Sequence, residues 1–94
     1  MANNNLISIT YSNAKLRVLV EEYITQQRSD FTMQSVCSYV LYWAMEDGNA
    51  TSNGLYENSL LNPVDCKRID VILNKIVSEG RLAYESERYK KLIG

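Results

Sequence analysis

The sequence predicts a mainly α-helical single domain with a small β-ribbon, an α+β fold of three helices. Three observations carry that expectation. Apolar residues recur at helical spacing in three stretches, residues 13–27, 32–47 and 63–79. Each stretch opens on a side chain able to accept a hydrogen bond from a first-turn amide: Ser12 or Asn13, then Thr32, then Asn62. After the third, Gly80 leads into residues 81–92, where Leu82, Tyr84, Tyr89 and Leu92 surround the polar turn Glu85-Ser86-Glu87-Arg88, the pattern of a two-stranded hairpin. A chain of 94 residues can build one modest core, and its 46% hydrophobic and 22% charged composition is that of an ordinary globular domain.

Taken in order, residues 1–5 are a polar tail. Residues 6–11 place Ile7, Ile9 and Tyr11 on one side of an alternating pattern and read as a short strand, to be paired with the hairpin at 81–92 or with another subunit. The helix at 13–27 turns Leu16, Leu19, Val20, Tyr23 and Ile24 to one side. Arg17, Glu21 and Arg28 share its wet side, where an exposed pair four residues apart is worth only about 0.3–0.5 kcal/mol, so the cluster reads as a solubility feature.

The second helix, 32–47, is expected to start at Thr32, with Phe31 packing on Val36 across the cap. Met33, Val36, Cys37, Val40, Leu41 and Ala44 face inward. Tyr39, Tyr42, Trp43 and Met45 carry the apolar surface well round the cylinder, as in a helix covered on more than one side, by its own domain or by a partner. Tyr39, Tyr42 and Met45 are therefore the candidate residues of a homodimer or protein-partner surface. Gly48 stops this helix, and residues 49–61 read as a loop with a turn at Asn53-Gly54, a short strand or turn at 55–58, and Leu55, Tyr56, Leu60 and Leu61 packing down.

The third helix, 63–79, is the most fully specified. Pro63 suits the first helical position, Asp65 sits where the helix dipole favours an anion, and Cys66, Ile69, Ile72, Leu73, Ile76 and Val77 form one apolar stripe. The opposite face carries Lys67, Val71, Asn74, Lys75 and Ser78, with no carboxylate among them. This helix, its glycine stop and the hairpin resemble the recognition helix and wing of the winged helix-turn-helix superfamily, over about a third of the chain. The resemblance implies a three-helix winged helix-like domain whose third helix enters a DNA major groove and whose hairpin touches the backbone or the adjacent minor groove. Lys67, Val71, Asn74, Lys75 and Ser78 would then face bases or phosphates, and Arg88, Lys90 and Lys91 would sit on the wing. Glu85 and Glu87 at the wing tip and the long connection before the third helix depart from that pattern.

Charge and chemistry narrow the function classes. The net charge is −1, yet residues 1–61 carry net −3 and residues 62–94 net +2, so the positive end holds the candidate reading helix. Histidine is absent, the two cysteines lie 29 positions apart with no CxxC, and the glycines form no phosphate-binding loop. The expectation is a protein that is not an enzyme and has no cofactor or metal. Cys37 and Cys66 read as small hydrophobes on apolar faces. No apolar run approaches the roughly 20 residues of a membrane span, and the amino terminus has no signal-peptide pattern, so a cytoplasmic location without membrane association is expected. Two functions remain: a DNA-binding protein, of the kind that regulates transcription, reading DNA with helix 63–79; or a protein-interaction module on the same scaffold, without nucleic-acid binding, using the apolar surface of residues 39–45.

Overall fold

The alternation of Ile7, Ile9 and Tyr11 with Leu6, Ser8 and Thr10 decides how the N-terminal strand packs: the first set is buried and the second exposed. In the computed structural model, which describes residues 5–51 and 59–92, this strand is β1 (Asn5–Ile9). Its partners are β2 and β3 and not the hairpin. β2 (Ala50–Thr51) runs antiparallel to it, with Ile9 opposite Ala50, and β3 (Ser59–Leu61) runs parallel, with Ile7 opposite Leu61, so the sheet order is β2-β1-β3. Both ends of the expected loop 49–61 are therefore strands. The turn expected at Asn53-Gly54 and the element expected at 55–58 lie outside the described residues, as do residues 1–4 of the expected tail.

Two helices bridge β1 to β2 and β3. α1 (Asn13–Gln26) starts where the Ser12 hydroxyl accepts from the Lys15 amide, and α2 (Met33–Glu46) starts at a reciprocal box in which Thr32 and Ser35 each accept from the other's backbone. α3 (Pro63–Ser78) opens on Asn62, whose side-chain oxygen accepts from the Asp65 amide at 2.9 Å, with Pro63 in the first turn. Its end is set by Gly80, which takes φ +79° and lets the Arg81 amide reach back to Ile76 O at 3.3 Å. These boundaries fall within a residue or two of those expected from sequence.

The hairpin is β4 (Leu82–Glu85) against β5 (Arg88–Lys91), with Tyr84 opposite Tyr89 and the two-residue turn Ser86-Glu87. A third segment joins it. Phe31, just before α2, exchanges both backbone hydrogen bonds with Tyr89, at 3.0 and 2.7 Å, and its ring stacks on Tyr89 with centroids 5.6 Å apart. The chain between α1 and α2 thus docks the hairpin onto the helical core. Phe31 was expected to staple Val36; both are buried in the core, and the ring contacts of Phe31 are with Tyr23 and Tyr89.

The core sits where the helices and β1 meet. Leu16, Val20, Val36, Val40, Ala44, Ile69, Leu73 and Ile76 are wholly buried there, and Ile7 and Leu82 nearly so. Burying one such valine, leucine or isoleucine side chain contributes about 1.5–3 kcal/mol relative to leaving it in water, so the apolar stripes specify both the helices and their arrangement.

Candidate nucleic-acid interface

Burial of Ile69, Leu73 and Ile76 fixes the rotation of α3, and the rotation decides which side chains reach solvent. Lys67, Val71, Asn74, Lys75 and Ser78 are all exposed and share the outer face. Val64 belongs with them. It was not among the expected site residues, yet it is 72% exposed and lies seven positions before Val71, hence on the same line of the cylinder. The seven-residue spacing was the available signal.

The polar groups of this face differ in what they have free. Lys67 Nζ lies 3.3 Å from Asp70 Oδ2, so its charge is partly answered on its own helix. Lys75 has no ion-pair partner among the described residues. It lies in the last turn, where the helix dipole favours a cation. The Ser78 hydroxyl donates back to Lys75 O at 2.6 Å, leaving its oxygen as an acceptor.

The hairpin cations gather elsewhere. Arg88, Lys90 and Lys91 are exposed, and Lys91 Nζ donates to Gln27 O at 3.1 Å. Lys90 and Lys91 line an open cleft of about 490 Å³ with residues 27–30, which add Arg28 and Asp30 to it. Glu85 and Glu87 stand exposed at the tip.

Two polar clusters hold α3 in place, and neither was expected. At its start, Asp65 is almost fully buried. Its Oδ2 accepts from the Ile9 amide at 3.0 Å and from Asn62 Nδ2 at 2.9 Å, while Oδ1 receives Arg68 Nη1 at 2.8 Å. Arg68 also donates to Tyr11 O at 2.7 Å and to Asn13 Oδ1 at 3.0 Å. A residue expected to act only on the helix dipole therefore clamps β1 onto α3.

At the other end, Arg81 of the hairpin base grips both Glu21 oxygens, with Nη1 to Oε2 at 2.7 Å, while Arg17 donates to Glu21 at 3.1 Å and to Glu79 at 2.9 Å. The hydrogen bonds from Arg81 and then Arg17 hold the Glu21 carboxyl below the usual carboxylate range, and Arg17 does the same for Glu79. The charges read as a solubility feature of α1 instead tie α1 to the C-terminal end of α3 and to the hairpin. Arg28, grouped with them from sequence, faces the cleft beside Lys90.

On α2, Tyr39 and Met45 are half-buried against the core, whereas Tyr42 and Trp43 are 43% and 39% exposed. Cys37 and Cys66 are free thiols lining one apolar cavity of about 400 Å³ with Met33 and Leu41. Burial, and then the neighbouring Cys66, push the Cys37 thiol up to about 12, opposite to what a nucleophile needs. Among the described residues no group of three or more His, Cys, Asp or Glu could hold a metal ion, and no helix is long and apolar enough to cross a membrane.

The sequence matches no protein-family model, and neither a curated protein nor a solved structure matches it.

Proposed function

We propose that this protein is a winged-helix DNA-binding domain, of the kind that serves transcriptional regulation, and that it reads a major groove with the outer face of α3. The observation that carries this reading is the row Val64, Lys67, Val71, Asn74, Lys75 and Ser78, exposed along the same helix whose other side is sealed in the core. Its chemistry suits the task. Lys75 meets phosphate, the Asn74 amide can pair with an adenine edge, and the Val64 and Val71 methyl groups suit the methyl of thymine. The clamps at Asp65 and Glu21 hold the helix against both β1 and the hairpin, which supplies the rigidity that groove reading needs.

The test is fluorescence anisotropy of a labelled duplex at two salt concentrations. Binding should weaken steeply as salt rises, because phosphate contacts release counterions. Lys75→Glu should reduce affinity for every duplex, while Asn74→Ala should mainly relax the choice between sequences. Unchanged affinity in both variants would remove α3 from the interface.

A second reading, a protein-interaction module that ignores nucleic acid, is favoured by the Lys67–Asp70 pair, the acidic hairpin tip and the exposed rings of α2. It predicts no duplex binding even at low salt.

A further inference from the structure

Between α1 and α2 runs an open groove of about 750 Å³ whose apolar lining is Val18, Leu19, Tyr39 and Trp43. Val18 is 46% exposed, and Trp43 is held in place by edge-on contacts with Tyr39 and Tyr42, at ring centroid distances of 6.5 and 5.3 Å. Large side chains already fixed in one orientation lose little freedom on docking, which makes them efficient anchors of an interface.

The charges on the rim indicate what docks. Of the charged residues that line the groove, Arg17 and Glu21 are consumed by the network that includes Arg81 and Asp47 accepts the Tyr11 hydroxyl at 2.7 Å, whereas Lys15 and Glu22 are exposed and have no ion-pair partner among the described residues. They have opposite signs and flank Val18 seven positions apart. Two helical turns, about 10.5 Å, separate them, too far for them to pair with each other. If two copies of α1 cross antiparallel about a twofold axis between Val18 and Leu19, each Lys15 comes opposite Glu22 of the other copy and the valines meet at the centre. A parallel crossing would set lysine against lysine. The pattern is therefore self-complementary in one orientation only, which is what an isologous contact requires.

We infer that the face formed by α1 and α2 is a homodimer interface, with Val18 and Trp43 as its apolar centre and two reciprocal Lys15–Glu22 pairs at its edges. Such a dimer forms whether or not α3 binds nucleic acid.

Sedimentation of the full chain tests this from micromolar concentration up to about 1 mM, the range in which a modest interface registers. The expected result is a dimer that Trp43→Ala dissociates. Lys15→Glu and Glu22→Lys should each weaken it about tenfold, since each sets like charges together at both symmetry-related contacts. The double variant K15E/E22K should recover the affinity of the parent chain. All three substituted side chains are exposed, and circular dichroism of each variant checks that the helices persist. A monomer throughout the range, a dimer indifferent to the single changes, or a double variant no better than the singles would each overturn the inference.

Discussion

The carboxylate of Asp65, buried in the first turn of α3, receives the backbone N–H of Ile9 at 3.0 Å, joining two residues 56 positions apart. A buried anion is tolerable only when its oxygens are satisfied, and Asn62 and Arg68 complete the set. Asp65→Ala would strip the Ile9 amide and the Arg68 guanidinium of their acceptor, and should cost about 3 kcal/mol of stability. Ser12→Ala, which removes only a helix cap, should cost about 1 kcal/mol. Urea denaturation gives both numbers, and hydrogen exchange at the Ile9 amide should accelerate in the Asp65 variant alone. Equal losses in the two variants would show that Asp65 is no more than a cap.

At the opposite end of α3 the stability is acid-sensitive. The Glu21 carboxyl titrates below its ordinary value of 4.5 because Arg81 and Arg17 favour its charged form. A carboxyl whose pKa is depressed by folding contributes fully above pH 4.5, and that contribution disappears as pH falls through the lower, folded value. Glu21→Gln should therefore cost about 1 kcal/mol near neutrality, a modest figure because the ions are part-exposed, and should flatten the decline of stability below pH 4.5. Parallel curves for the variant and the parent chain over that range would show that the network contributes nothing to folding.

Features with a local cause were legible in the sequence. The caps at Thr32 and Asn62, the stop at Gly80 and the stripe of Ile69, Leu73 and Ile76 all act within a few residues, and each stands where it was expected. The exposed face of α3 followed from that stripe by rotation alone. Pairings across long separations left no such trace. Nothing near Leu6 marks Leu60 as its neighbour in the sheet, and nothing near Glu21 marks Arg81, 60 positions away, as its partner. For the same reason the position of Lys90 and Lys91 beside Arg28 was out of reach: it depends on Phe31 docking on Tyr89.

The hairpin turn holds a reserve of stability. Ser86 and Glu87 take φ +52° and +61°, values at which a side chain crowds its own backbone. Asn-Gly is the sequence that such a two-residue turn favours. Replacing Ser86-Glu87 by Asn-Gly should stabilise the chain by about 1 kcal/mol and raise the melting temperature by roughly 4–8 °C. A calorimetric midpoint that stays put or falls would mean that the turn conformation is not strained.

The pair of Lys67 with Asp70 offers a selective probe of α3, because Asp70→Asn removes a charge that is not itself on the outer row. In the parent chain Lys67 is partly neutralised, so Lys67→Ala should weaken duplex binding less than Lys75→Ala does. Freed of Asp70, Lys67 gains a full charge for phosphate, and the Asp70→Asn variant should bind about threefold more tightly at low salt, with a steeper salt dependence. Adding Lys67→Ala to Asp70→Asn should then cost more than the same change costs alone, a coupling that a double-mutant cycle measures directly. Tighter binding that survives the loss of Lys67 would mean that Asp70→Asn acts through net charge alone, with the duplex lying elsewhere on the surface.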